Sequence, residues 1–267
     1  MPTARAILQR RLAPRAPGWL DIRTGLRHFA LITYALPAER LRPLVHPRFE
    51  IETFHIEGQE RALLSVVPFE DAGFHFRFLP WPRFRFHQTN YRIYVRDRVT
   101  GERVVWFLGT TLGSWTVHVC RALWGIPWHP ARYRSGNEWD AQAQRYRRYR
   151  IHVRSQWAPA TIELRDTGEP IGLVPGFEDE DEMMLCLTHP VEGYFWRLNG
   201  TLGTYSVAHD ILDLRRAEPV ELHFGLLERL GILDAEEMRA PHSTWICPET
   251  VFDIHMPPVG VPESPGD

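Results

Sequence analysis

Short runs rich in β-branched and aromatic residues follow one another along the chain, and this succession most restricts what it can fold into. His28 to Ala35, Phe49 to Glu57, Ala62 to Phe69, Asn90 to Arg98, Arg103 to Gly109, Tyr149 to Trp157 and Thr161 to Asp166 each read as a strand. Val99-Thr100-Gly101-Glu102 marks a hairpin, because Gly101 can take the left-handed conformation that a tight reversal needs. Helical signals are fewer: Ala38 to Val45, Ser114 to Trp124 with Ser114 as N-cap, Asp179 to Leu187, and Pro219 to Leu230 with Gly231 as its stop. The pattern predicts a mainly β (α+β) chain, an antiparallel β-barrel or sandwich with a few peripheral helices.

No repeat, linker or break in composition divides the middle of the chain, so residues 21–256 are expected to form one domain. An Arg/Pro-rich flexible arm is expected over 1–20 and a disordered tail over 257–267. The 31 basic residues counted as Lys+Arg are all arginine, and they nearly cancel 33 acids to leave a net charge of -2. No overall field therefore draws the chain to nucleic acid or to an acidic membrane. Without lysine, a lysine Schiff base, a lysine-anchored cofactor and a P-loop lysine are all excluded. Cys120, Cys186 and Cys247 are odd in number and far apart, which argues against disulfides and a zinc knuckle and fits a reducing cytoplasm. No apolar segment is long and uninterrupted enough to read as a signal peptide or a spanning helix, so a soluble protein without a membrane partner is expected.

Four stretches could carry chemistry. Helical spacing puts Ser114, His118 and Arg121 on one face and Trp115, Val119 and Ala122 on another; the polar stripe either meets water, the default, or grips a buried anion. Strand alternation puts Asn90, Arg92, Tyr94 and Arg96 on one side, where they either line a polar cavity or face solvent. Solvent is the default there too, because charged residues are seldom buried without partners. In Gly73 to His87, Phe74, Phe76 and Phe78, and then Phe84 and Phe86, alternate with histidine and arginine. This is an aromatic core ladder with a basic back, or less readily a surface for single-stranded nucleic acid. The Arg145 to Arg154 stretch is read the same way. No G-x-S-x-G, H-E-x-x-H or helix-opening G-x-G-x-x-G is present, and no metal site or cofactor is expected.

Several segments in order resemble the YqjF-like family within the acetoacetate-decarboxylase-like superfamily. They are Tyr34-Ala35-Leu36-Pro37, Leu41-Arg42-Pro43-Leu44-Val45-His46-Pro47, Glu52-Thr53-Phe54, Ser65-Val66-Val67-Pro68-Phe69, Asn90-Tyr91-Arg92-Ile93-Tyr94-Val95 and Ser206-Val207-Ala208-His209. The resemblance implies a mostly β fold with a small-molecule cavity. In the superfamily's decarboxylases a lysine attacks the substrate ketone while a second lysine keeps its amine neutral. The resemblance puts those lysines near Trp124-Gly125-Ile126-Pro127, followed here by Trp128 and His129. It puts Gln88 near the catalytic carboxylate and Arg27 near a substrate-linked arginine.

Three readings follow. In the first, the chain binds a small anionic or carbonyl-bearing molecule through Arg27, Gln88, Arg92, Tyr94, Arg121 and Trp128. In the second, it is a hydratase, isomerase or lyase free of imine chemistry, with His129 or His118 as base and arginines stabilising an oxyanion. In the third, it is an interaction module for nucleic acid or protein. A homo-oligomer covering an exposed sheet edge is compatible with each.

Overall fold

A computed structural model describes residues 3–13, 16 and 18–261. In chain order the strands are β1 (Ile22–Leu36), β2 (Phe49–Ile51), β3 (Thr53–Ile56), β4 (Gln59–Phe76), β5 (Leu79–Asp97), β6 (Arg103–Leu112), β7 (Trp128–Pro130), β8 (Arg132–Ser135), β9 (Glu138–Asp140), β10 (Arg145–Arg154), β11 (Ala160–Pro170), β12 (Glu192–Trp196), β13 (Leu202–His209), β14 (Arg215–Phe224) and β15 (Ser243–Gly260). The α-helices are α1 (Ala4–Leu12), α2 (Ala38–Leu41), α3 (Thr116–Trp124), α4 (Glu180–Leu187) and α5 (Gly225–Arg229).

Strands pair in the order β1-β4-β5-β6-β12-β13-β15, and β15 returns to β1 through Ile22↔Ile254 to Thr33↔Ser243, closing a seven-stranded barrel. Through Arg215↔Ile246 the sheet continues from β15 into β14, β11, β10 and β8. These outer strands pack over the barrel wall, so Tyr34, Leu64, Ile93 and Trp106 share one apolar cluster with Tyr149, Ile151, Ile162 and Phe224. A second cluster, including Leu26, Leu31, Leu63, Val67, Val105, Phe107 and Trp245, fills the barrel. Ala62 to Asp71 of β4 are buried without interruption because one face of the strand meets the barrel core and the other meets the outer layer. That is why the segment reads as a continuous apolar run.

The expected strand runs lie in strands over most of their length: Phe49 to Glu57 divides into β2 and β3, β5 ends at Asp97, and β10 ends at Arg154, so Ser155 to Trp157 lie beyond it. Gly101 has φ 72° at the expected reversal, and its N–H donates to the Asp97 carbonyl at 2.7 Å. The ladder is antiparallel except where β12 and β7 run parallel to β6. Three expectations need correction. Pro219 to Phe224 is strand, paired with β11 from Leu164↔Pro219, so only Gly225–Arg229 is α-helical before Gly231. The N-terminal arm holds α1, fastened where Arg11 donates to the carbonyls of His189 (2.5 Å) and Arg103 (3.0 Å) and pairs with Glu102 at 3.0 Å. At the other end, Pro257 to Gly260 belong to β15, whereas 262–267 lie outside the described residues. No described helix is long and apolar enough to cross a membrane.

Candidate functional site

A cavity of about 290 Å³ opens inside the barrel. Strand alternation on β5 turns Phe84, Phe86, Gln88, Asn90 and Arg92 toward it. The expectation that Asn90 and Arg92 meet water is thus reversed, because closing the barrel converts that face into an interior.

Arg92 is held from behind. Its guanidinium donates to the Leu187 carbonyl at 2.7 Å and the Tyr94 hydroxyl at 3.3 Å, and lies 5.5 Å over the Tyr94 ring. The Tyr94 hydroxyl also bonds Ser65 Oγ (2.7 Å), which bonds Thr33 Oγ1 (2.8 Å). Among the described residues no carboxylate lies within ion-pair distance of Arg92, and its buried Nε has no hydrogen-bond partner. Arg92 is half-buried; withdrawing a cation from water without a counter-ion is costly, and a bound anion would relieve the cost. Beside it, Asn90 Oδ1 accepts from Gln88 Nε2 and Thr110 Oγ1, both at 2.8 Å, fixing the amide orientations.

Asp71 of β4 also faces the cavity. It is 2% exposed, accepts from Thr24 Oγ1 at 3.0 Å through Oδ1, and leaves Oδ2 unpartnered. Burial, aided by the neighbouring Glu70 charge and opposed by the Thr24 bond, pushes its carboxyl up to about 8. Adjacent Glu70 points the other way and pairs with Arg85. On the facing wall, Tyr205 of β13 stacks on Phe107 with centroids 5.5 Å apart. Burial raises its phenol, with Arg92 opposing and Asp71 reinforcing the rise, so the tyrosine senses both groups. His209 lines the wall near Arg92, its ring 4.1 Å from Phe252, and burial lowers its imidazole.

Of the residues singled out from the sequence, Gln88, Arg92 and Trp128 converge on this cavity, with Tyr94 buried directly beneath Arg92. The others do not. Arg27 is on the exterior, its side chain 44% exposed and 3.5 Å from its cross-strand neighbour Glu249. His118 is exposed on α3, while Arg121 donates to the Trp128 carbonyl at 2.6 Å and ties that helix to β7. His129 follows Trp128 on β7 and so faces away from the cavity. It stacks on Trp157 at 4.0 Å, and burial together with Arg121 pulls its imidazole down to about 4. Asp71, Tyr205 and His209 are the residues sequence reasoning missed as site members. For Asp71 a signal existed: two consecutive acids ending an apolar strand must point to opposite faces, so one of them points inward.

The arginines of the expected basic surfaces are largely neutralised locally: Arg77 pairs with Asp253, Arg147 with Asp140, Arg148 with Glu138 and Arg150 with Glu163. Among the described residues no group of three His, Cys, Asp or Glu side chains is arranged to hold a metal ion.

The sequence matches the DUF2071 family of uncharacterized conserved proteins over residues 23–250. The chain belongs to the DUF2071 family. No curated sequence matches it significantly. This DUF2071 protein has the acetoacetate-decarboxylase-like fold. Acetoacetate decarboxylase from Legionella pneumophila superposes with a TM-score of 0.59 at 13% identity, covering 97% of this chain and 96% of the other. The enduracididine biosynthesis enzyme MppR, complexed with pyruvate, gives 0.57 at 12% identity over 93% and 92%. An acetoacetate decarboxylase-like enzyme from Sphingomonas wittichii RW1 gives 0.56 at 9% identity over 92% and 94%. At these identities the likeness concerns the fold.

Proposed function

We propose that this DUF2071 protein binds a small organic carboxylate or carbonyl compound in the barrel cavity, with the anionic group on Arg92. The observation that carries the reading is a half-buried guanidinium, braced by Tyr94 and the Leu187 carbonyl, that faces a mostly apolar chamber with no carboxylate at ion-pair distance among the described residues. Gln88 and Asn90 supply fixed amide groups beside it, and Trp128 supplies apolar wall. MppR, which shares this fold, is complexed with pyruvate, itself a small carboxylate. Calorimetric titration with carboxylates and their neutral amides tests it. Charged hydrogen bonds contribute about 1.5–3 kcal/mol, so Arg92→Met is expected to weaken carboxylate binding by roughly 10- to 150-fold and leave amides unchanged. Equal loss for acid and amide would refute the assignment.

A second reading, catalysis without an imine, is favoured by Asp71. A carboxyl that burial in the cavity wall pushes up to about 8 can give and take a proton near neutral pH, as a hydratase, isomerase or lyase requires. In that case Asp71→Asn would abolish turnover of keto and hydroxy acids while they still bind; turnover surviving in Asp71→Asn would exclude it.

A further inference from the structure

We infer that the ligand is a carboxylic acid with an extended hydrocarbon or aryl tail, of roughly octanoate length, lying from Arg92 toward a mouth beside α3. The inference rests on the carboxylate reading above and adds the chemistry of everything beyond the anionic group.

The polar groups that approach the cavity are unevenly spread along β5. Arg92, Asn90 and Gln88 succeed one another, and then Phe86 and Phe84 take the inward positions. At about 3.3 Å per residue, residues 92 to 84 span roughly 25 Å of strand, so the chamber is long in that direction. Its far end is walled by Phe74, register partner of Phe84, and by Trp115 and Val119 at α3. Trp115 is 69% exposed and Val119 40% exposed although both border the cavity, which places the mouth there. The anchor and the opening thus lie at opposite ends, with apolar wall between them.

Volume points the same way. A water's share of liquid is about 30 Å³, so 290 Å³ accommodates about ten non-hydrogen atoms. A keto acid the size of pyruvate would leave the aromatic half of the wall without partner atoms, forfeiting dispersion and apolar burial. A tail running from Arg92 toward Phe86 recovers both. Burial pushes the carboxyl of Asp71, part-way along, up to about 8, which limits the negative charge that would repel the bound anion.

Titration calorimetry of the full chain with butanoate, hexanoate and octanoate, and with octanol and acetoacetate, tests the inference. Each methylene buried in the wall is expected to tighten binding about fourfold, with a heat-capacity change that grows more negative along the series. Phe86→Leu, which thins the wall that the tail reaches and leaves the groups around the carboxylate in place, should weaken octanoate several-fold and spare butanoate. Butanoate or acetoacetate binding as tightly as octanoate would overturn the tail while leaving the carboxylate on Arg92. Octanol matching octanoate would overturn the carboxylate reading while leaving the tail. If none of the acids binds, both fail.

Discussion

Replacing Asp71 with asparagine should change how stability depends on pH more than it changes stability at any one pH. An ordinary aspartate loses its proton near ~3.9, whereas burial holds Asp71 protonated to about 8 in the folded chain. Between those values the native state keeps a proton that the unfolded state has released. This contribution to stability is therefore complete below about pH 4 and is lost as pH rises through about 8. At about 1.4 kcal/mol per pH unit for one proton, the loss from pH 5 to pH 8 is on the order of 3–4 kcal/mol. The amide introduced by Asp71→Asn has nearly the same shape and can still accept from Thr24 Oγ1, but it does not titrate. Reversible urea unfolding of both proteins at pH 5, 6.5 and 8 isolates the effect, because the other titrating groups cancel in the difference. The variant should gain on the wild type steadily toward pH 8. A difference that stays flat across this range would mean that Asp71 is ionised in the fold and that the cavity already carries a negative charge.

Three further outcomes follow from the packing. His129→Gln should leave carboxylate affinity unchanged and cost about 0.5–1.5 kcal/mol of stability, since the ring's role is its stack on Trp157; loss of binding in calorimetry would return His129 to the site. Gly193→Ala should destabilise by about 1–3 kcal/mol in thermal unfolding, because the added methyl would run into the Phe107 ring; an unchanged Tm would mean that the β12–β6 contact is looser than described. Asp97→Asn should cost about 3–5 kcal/mol by stranding Arg48, whose Nη2 pairs with the fully buried carboxylate at 2.6 Å. Arg48 holds the Asp97 carboxyl below its ordinary value against the opposing effect of burial, so this contribution is present at neutral pH and lost as pH falls through the folded pKa. Acid titration of both proteins reads the loss.

What the sequence made legible followed from alternation and from apolar continuity. Ala62 to Phe69 declared itself because both of its faces are buried, and Asn90 to Arg98 because its sides differ in polarity. The barrel's closing strands were silent for equally physical reasons. β13 carries Gly203, Ser206 and His209, and β15 carries Pro248, Pro257 and Pro258, so neither has a β-branched run of the usual kind. Pro219 to Phe224 has a helix-like spacing, but its backbone partners are on β11, and only tertiary pairing decides that. At the site, parity was the available guide. Trp128 and His129 are neighbours on one strand, so they could not both face a single cavity, and the tryptophan faces it. Which side of β5 became interior depended on β12, β13 and β15 closing the ring, and no local pattern encodes that.

The most direct test of the site is a crystal structure of the protein with 8-bromooctanoate, located by anomalous scattering from bromine. The expected result is a carboxylate on the Arg92 guanidinium with the bromine at the other end of the extended chain, on the Phe86 side of Gln88 and directed toward α3. Bromine beside Arg92, or a ligand found only on the outer surface with the cavity empty, would contradict it.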